Sequence, residues 1–165
     1  MTYNDILRRL RYSFNYSDDK MMAIFALADH KVTREQLSNW LKKDDADDFQ
    51  EIKDADLALF LNGLINHRRG KREGAQPPPE QRLNNNIIFR KLKIALDLQD
   101  NEILKIMDLT NMKLSRHELS AFFRKVGHKH YRQCKDQVMR NFIYGVQRKY
   151  RPDKPAPGDS PWTKK

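Results

Sequence analysis

One segment of this sequence occurs twice. Residues 32–43, VTREQLSNWLKK, return 82 positions later as LSRHELSAFFRK at residues 114–125. At that constant offset sixteen positions of residues 4–70 are identical to their counterparts in residues 86–152, and most of the other apolar positions stay apolar. A duplication of this length predicts two copies of one structural unit.

Each copy carries apolar residues at the spacing of amphipathic helices. The fourth stripe of the first copy consists of Leu57, Phe60, Leu61, Leu64 and Ile65, which are the positions that share one face of a helix. Three shorter stripes precede it, and the second copy repeats all four. We therefore predict an all-α fold, a tandem internal repeat of a four-helix unit with about eight helices in total.

A glycine occupies the same place in the fourth helix of both copies. Gly63 and Gly145 are identical across the offset. Glycine inside a helix costs about 1 kcal/mol relative to alanine. The pair predicts a close helix crossing and places the fourth helices at the crowded centre of the fold.

The composition of the chain predicts its boundaries. Residues 4–70 form the near-neutral first copy and residues 86–152 the strongly basic second copy. Between them, residues 71–85 contain three successive prolines, which block a helix and predict a Pro-rich linker. Residues 153–165 are rich in proline and polar residues, so we expect a disordered tail.

Apolar runs are short throughout the sequence. None approaches the roughly 20 residues that a membrane-spanning helix requires. The single cysteine, Cys134, excludes an intramolecular disulfide, as expected in a reducing compartment. We predict a cytoplasmic protein without a membrane partner.

Three segments carry a resemblance to a known family: LKKDDADDFQEIKDADLALFLNGLINHRRGK, NNNIIFRKLKIAL and HKHYRQCKDQVMRNFIYG. They resemble the YehS-like family of small bacterial proteins, which is built from a tandem uncharacterised domain. The resemblance extends from Asn4 to about Arg151. It implies an all-α bacterial cytosolic protein, and it brings no reaction and no binding residues.

Two clusters of metal-ligand residue types occur. His128, His130 and Cys134 have side chains that suit zinc. Cys134 matches the apolar Ile52 of the first copy, which favours a small buried thiol instead. The aspartates of residues 44–48 lack the glycine turn of a calcium loop and favour a solvated connection. We predict no metal and no cofactor.

Motifs of known catalytic mechanisms are missing from the sequence. It contains no G-x-S-x-G, no phosphate-binding glycine loop and no H-E-x-x-H. All five histidines face a different residue in the other copy. We predict a binding protein rather than an enzyme, with no catalytic residues.

Positive charge is concentrated in the second copy. Residues 4–70 contain 11 Lys and Arg against 12 Asp and Glu, whereas residues 86–152 contain 15 against 6. Cations interleaved with tyrosines suit phosphates and exposed bases. The first hypothesis is therefore that RNA or DNA, or else an acidic protein, binds the second copy through Arg90, Lys91, Lys93, Arg124, Lys125, Lys129, Tyr131, Arg132, Arg140, Arg148 and Lys149.

The second hypothesis is a protein–protein interaction module or a homo-oligomer. Residues 44–48 of the first copy read DDADD, whereas their counterparts, residues 126–130, read VGHKH. Patches of opposite charge at equivalent places can pair head to tail. The residues that would drive such self-association are Asp44, Asp45, Asp47 and Asp48.

Overall fold

A computed structural model describes residues 1–152, which contain eight helices and no strand. The helices are α1 (Tyr3–Ser13), α2 (Asp18–Leu27), α3 (Arg34–Leu41), α4 (Asp54–Arg69), α5 (Asn85–Ala95), α6 (Asp100–Asp108), α7 (Arg116–Ala121) and α8 (Asp136–Tyr150). The predicted all-α tandem repeat is confirmed. The tail predicted for residues 153–165 lies outside the described residues. Within residues 1–152 no helix combines the length and apolar composition needed to cross a bilayer.

The twice-repeated segment starts a helix in both copies through the same cap. The Thr33 hydroxyl accepts a hydrogen bond from the backbone N–H of Gln36 at 3.1 Å, and the Ser115 hydroxyl accepts one from Glu118 at 3.0 Å. The N–H of Ser115 donates back to the Glu118 carboxylate at 2.8 Å, which lowers the pKa of that carboxyl. These bonds satisfy N–H groups that would otherwise lack a partner at the start of α3 and α7.

Left-handed residues end the first two helices of each copy at matching positions. Asn15 and Asp97 follow α1 and α5 with φ of 54° and 53°, while Asp29 and Asn111 follow α2 and α6 with φ of 58° and 61°. Asn and Asp adopt this conformation more readily than other residues with a side chain. The chain therefore reverses direction at equivalent points in the two copies.

Each copy packs its first helix on the fourth helix of the other copy. Helix α1 contacts α8, and α5 contacts α4, whereas α2 and α6 pack against the fourth helix of their own copy. Buried apolar side chains from all eight helices form one core. The exchange is reciprocal, as in a two-fold arrangement, and it interlocks the copies into one unit.

The two matched glycines lie where α4 and α8 cross the second helix of their own copy. A Cβ on Gly145 would lie 2.5 Å from the carbonyl oxygen of Ile106, and a Cβ on Gly63 would overlap the carbonyl oxygen of Ile24. The predicted close crossing is confirmed, and its partner is α2 in the first copy and α6 in the second.

The Pro-rich segment between α4 and α5 lies against the helices. The Tyr3 hydroxyl donates to the carbonyl oxygen of Leu83 at 2.9 Å, and the N–H of Leu83 donates to the Asp54 carboxylate at 2.8 Å. Glu80 forms an ion pair with Lys91 at 3.1 Å. These contacts fix the end of the segment next to the start of α5.

Candidate nucleic-acid interface

The connection between α7 and α8, residues 122–135, is held to the fold by the buried side chain of Asn86. Its Nδ2 donates to the carbonyl oxygens of Phe122 at 3.0 Å and Arg132 at 2.8 Å, and its Oδ1 accepts from the N–H of Cys134 at 2.9 Å. Three bonds to one buried amide fix the course of this segment. We call residues 122–135 the basic connection.

Asn4 holds the equivalent residues 40–53 of the first copy in the same way. Its Nδ2 donates to the carbonyl oxygens of Trp40 and Gln50, both at 2.9 Å, and its Oδ1 accepts from the N–H of Ile52 at 3.1 Å. We call residues 40–53 the acidic connection. The two connections share one backbone frame and differ in the side chains that the frame carries.

Two aspartates of the acidic connection form ion pairs within the first copy. Arg8 forms ion pairs with Asp44 at 3.3 Å and with Asp5 at 2.5 Å, and Lys42 pairs with Asp48. The hydrogen bond from Lys42 lowers the pKa of the Asp48 carboxyl. The charges of Arg8 and Lys42 are therefore neutralised by neighbouring carboxylates.

The basic connection has no matching acids. Val126 stands at the position of Asp44, and His130 stands at that of Asp48. Val126 is 75 % exposed, so an apolar side chain replaces a charge at the surface. Within the described part of the chain no carboxylate pairs with the exposed cations of the basic connection, which are Arg124, Lys125, Lys129, Arg132 and Lys135.

Two further cations lie behind the basic connection, around Phe123. The exposed Arg90, the counterpart of Arg8, donates to the carbonyl oxygen of Phe123 at 2.6 Å. The Lys93 ammonium lies 4.5 Å from the centroid of the Phe123 ring and 3.4 Å from the Asp100 carboxylate. Arg90 therefore adds an unneutralised charge to the surface, whereas the charge of Lys93 is compensated.

A cavity of about 490 Å³ opens between α7, the basic connection and the start of α8. Its volume falls within the range of roughly 300–1,000 Å³ that is usual for ligand sites. We call it the apolar cavity, because its lining includes Leu114, Ala121, Phe122 and Val138. Its polar lining includes His117, Glu118, His130, Arg132, Gln133, Lys135 and Gln137.

Two adjacent side chains that line the apolar cavity are smaller than their counterparts in the first copy. Ala121 and Phe122 stand where the first copy has Asn39 and Trp40. Trp40 is 3 % exposed and packs with Phe25, the ring centroids being 5.6 Å apart. At these two positions the second copy therefore lacks an amide and part of an indole.

A second cavity, of about 270 Å³, lies beside the apolar cavity along α8. Gln137 lines both cavities, which makes them neighbours. We call the second one the arginine cavity. None of its described lining residues carries a carboxylate, and they are Thr110, Asn111, Gln137, Arg140, Asn141, Tyr144 and Arg148.

The two arginines of this cavity have different surroundings. Arg148 donates from Nη1 to the carbonyl oxygen of Leu109 at 2.6 Å, and its guanidinium lies 4.9 Å from the centroid of the Tyr144 ring. Arg140 is half-buried, and its Nε is buried without a hydrogen-bond partner among the described residues. Arg148 thus caps the end of α6.

Both copies also match a known family. Residues 3–70 and residues 85–151 each match the family described as "Protein of unknown function (DUF1456)". The chain belongs to this family. It is 42 % identical over 147 residues to the "Uncharacterized protein YehS" of Escherichia coli (strain K12), an alignment that covers 88 % of this chain and 94 % of that relative. No solved structure matches the chain. The resemblance to the YehS-like family is confirmed.

Lys91 lies at the junction of the two DUF1456 copies. Its ammonium lies 2.6 Å from Oδ1 of Asn62 and 3.1 Å from the Glu80 carboxylate, and only 13 % of its side chain is exposed. At the equivalent junction Arg9 donates to Gln147 at 3.0 Å. Lys91 therefore stabilises the packing of α5 on α4, and it is not presented to a partner.

Two other predicted contacts lie away from the cavities of this DUF1456 chain. Tyr131 is half-buried within the basic connection, where its N–H donates to the carbonyl oxygen of His128 at 2.9 Å. Lys149 is exposed near the end of α8, and its ammonium lies 5.5 Å from the centroid of the Tyr150 ring. The structure thus brings together Arg132 with the apolar cavity and Arg140 with Arg148, while Tyr131 and Lys149 line neither cavity.

Histidines cluster beside the basic connection without forming a metal site. The rings of His128 and His130 are 5.5 Å apart and those of His117 and His130 are 6.1 Å apart, measured between centroids. Across residues 1–152 no group of three or more His, Cys, Asp or Glu is arranged to hold a metal ion. Cys134 is 1 % exposed, and burial raises the pKa of its thiol to about 12. Its interpretation as a small buried side chain is confirmed.

The four aspartates predicted to drive self-association divide into two pairs. Asp44 and Asp48 are bound within the first copy. Asp45 and Asp47 are exposed and form no ion pair with the described residues. The ion pairs of the acidic connection stay within the first copy, so the structure does not show it paired with the basic connection of the same chain.

The sequence interpretation missed the two cavities. It therefore missed the contributions of His117, Ala121, Gln137 and Asn141. The available signal was the difference between the copies, such as Ala58 in the first copy against Arg140 in the second. The sequence pattern does not show how α6, α7 and α8 pack. The differences between the copies could therefore not be assigned to one surface.

Proposed function

We propose that the chain binds nucleic acid through its second copy, with the basic connection as the principal contact to phosphates. The observation that supports this most strongly is the contrast between two segments with one backbone frame. In the first copy Arg8 and Lys42 are paired with carboxylates, whereas the cations of the basic connection are exposed and unpaired. The first copy forms the same frame with Asp47 and Gln50 in place of Lys129 and Arg132, so the frame does not require those two charges.

Unpaired cations at one place have a physical consequence. Their potentials add, which raises the local concentration of polyanions and the rate at which they bind. Arg90 and the arginine cavity add positive charge to the same copy, in which 15 Lys and Arg stand against 6 Asp and Glu. Phosphate contacts release counterions, so binding of this kind weakens as salt is added.

A panel of fluorescent RNA and DNA, single-stranded and double-stranded, tests this proposal. We expect at least one member to bind with Kd below about 10 µM at about 50 mM salt. If all five cations of the basic connection contact phosphates, the slope of log K against log salt is about −3.5 for a single strand. No binding by any member below that concentration would overturn the proposal.

An acidic protein would be attracted by the same charges. A pull-down from native lysate with and without nuclease identifies the class of partner directly. We expect nucleic acid to co-purify and to disappear after nuclease treatment. A specific acidic protein retained after nuclease treatment, with no nucleic acid before it, would favour the protein partner instead.

The alternative function is self-association, which the exposed and unpaired Asp45 and Asp47 favour. In that case the acidic connection of one chain contacts the basic connection of another. The variant in which Asp44, Asp45, Asp47 and Asp48 are all changed to Asn would then have a lower sedimentation coefficient than the wild-type protein. Identical sedimentation of wild type and variant would exclude this alternative.

We further propose a binding role rather than catalysis, and a cytoplasmic location. The absence of a known catalytic motif supports the first, and the single buried cysteine, which suits a reducing compartment, supports the second.

A further inference from the structure

The two cavities of the second copy differ in chemistry and share a wall. The apolar cavity combines apolar lining with histidine and glutamine side chains and with the charged Glu118, Arg132 and Lys135, whereas the arginine cavity combines two guanidinium groups with amide and hydroxyl groups. Gln137 lines both. A ligand that fits both cavities therefore combines an anion with an adjacent group that has apolar faces and polar edges.

A nucleotide has this combination of groups. A base presents apolar faces and hydrogen-bonding edges, and its phosphate is an anion a short distance away. In the apolar cavity Phe122 and Val138 supply apolar contact, while His130 and Gln133 supply groups for the polar edge. We propose that the ligand is single-stranded nucleic acid, with one base in the apolar cavity and the adjacent phosphate in the arginine cavity. This inference rests on the proposed function.

The arginine cavity has the features of a phosphate site. Arginine binds phosphate through parallel N–H groups, and a buried polar group without a partner requires an explanation. The Nε of Arg140 is such a group. In the first copy Arg140 and Asn141 are replaced by Ala58 and Leu59. The two guanidinium groups of the cavity are therefore specific to the second copy, because Arg148 also replaces a neutral residue, Asn66.

The concave shape of the apolar cavity favours a single strand over a duplex. In a duplex the bases are stacked and paired, and placing one in a pocket costs a few kcal/mol. In a single strand the base is already free to leave the stack. The exposed Arg124, Lys125 and Lys129 of the basic connection then contact the phosphates on either side without reading the sequence.

The test compares three ligands with the full-length wild-type protein by fluorescence anisotropy. They are a labelled oligouridine of about ten nucleotides, the same strand with its central bases removed, and a duplex of equal length. We expect the intact strand to bind about tenfold or more tightly than the abasic strand, because one stacked base contributes a factor of this size. We also expect it to bind more tightly than the duplex.

Two variants transfer residues of the first copy to the second, so each side chain is one that this fold already accommodates. Ala121→Asn with Phe122→Trp restores the pair Asn39 and Trp40 and should reduce binding of the intact strand to the level of the abasic strand. Arg140→Ala restores Ala58 and should weaken intact and abasic strands alike, with a salt slope smaller by about one.

Several results would overturn the inference. Equal binding of intact and abasic strands by the wild-type protein would support the proposed function and reject the base pocket. Equal or tighter binding of the duplex would have the same meaning. Uridine monophosphate binding as tightly as the strand would assign the cavities to a free nucleotide. Failure of all ligands to bind would reject the proposed function together with this inference.

Discussion

Single buried asparagines position the charged connections on this molecule. Asn86 donates to two carbonyl oxygens and accepts one N–H from the basic connection, and Asn4 does the same for the acidic connection. Both side chains are buried, at 6 % and 0 % exposure. Water cannot replace the bonds that a truncation would break, so these residues determine the course of segments that otherwise lack regular structure.

Replacing Asn86 with Ala tests this role. The change removes three hydrogen bonds and leaves backbone groups unpaired, so we expect a loss of about 2–4 kcal/mol in the free energy of unfolding. Urea unfolding followed by circular dichroism measures it. Asn101→Ala is the matched control, because the side chain of Asn101 is exposed and forms no hydrogen bond with residues 1–152. Equal stability of the two variants would contradict this account of Asn86.

Cys134 provides a second prediction at this scale. With a thiol pKa of about 12 the reactive thiolate is about one part in ten thousand near pH 8, and the side chain is 1 % exposed. We expect no reaction with a thiol-reactive disulfide reagent in the native state and rapid reaction after denaturation. Fast labelling of the native protein would show that the basic connection opens readily.

The sequence predicted some residue roles and not others. The identity of Asn4 and Asn86 across the copies was visible, and so was the apolar counterpart of Cys134. The burial of Lys91 was not visible, because it results from the packing of α5 on α4 and from the ion pair with Glu80. A positive charge in a sequence does not show whether its neighbours in space are acidic.

Among the elements, α4 and α8 determine how closely the fold can pack. Helix α8 approaches α6 so closely that a Cβ on Gly145 would lie 2.5 Å from a carbonyl oxygen. Backbone on both sides of the crossing limits how far the helices can adjust. At this position the close packing that glycine permits therefore stabilises the fold by more than its low helix propensity destabilises it.

Gly145→Ala measures that balance. Alanine improves helix propensity by about 1 kcal/mol, but the clash with Ile106 should make the variant less stable than wild type by about 1–3 kcal/mol. Thermal melting is a sufficient measurement, with Lys105→Ala on the exposed face of α6 as the control. A melting temperature of Gly145→Ala equal to or above that of wild type would contradict the crossing.

Helix periodicity predicted the elements themselves, since each apolar stripe corresponds to a helix. The partner of each stripe was not predictable, because an amphipathic helix shows that one face is buried and not what covers it. The paired glycines indicated a close crossing but did not distinguish a partner in the same copy from one in the other. The contacts of α6 with α8 and of α2 with α4 supply that information.

The whole molecule depends on the exchange of contacts between its copies. Without the second copy, α1 loses its packing against α8 and α4 loses its packing against α5, while α2 remains packed against α4. A fragment of residues 1–70 should therefore be unfolded as a monomer, or fold only as a dimer in which a second fragment supplies the missing contacts. Light scattering and circular dichroism distinguish these states. A monomeric fragment with a cooperative thermal transition would contradict the interlocked arrangement.

The candidate site also depends on how the whole molecule packs. The sequence predicted that the second copy carries the positive charge and that the difference from the first copy begins after the repeated segment. It did not predict that Arg140 and Arg148, both on α8, line a cavity, because the other wall consists of Thr110 and Asn111, whose position relative to α8 the sequence does not show. The cavities result from the packing of the helices, which the sequence pattern did not predict.

The central claim is that the basic connection, and not positive charge in general, binds nucleic acid. Its most direct test compares two variants that each lose four charges: Arg124, Lys125, Lys129 and Arg132 changed to Gln, and the exposed Lys20, Lys31, Lys43 and Lys53 of the first copy changed to Gln. Affinity for a fluorescent single-stranded RNA at about 50 mM salt should fall about tenfold or more in the first variant and less than about twofold in the second. Equal losses in the two variants would contradict the account.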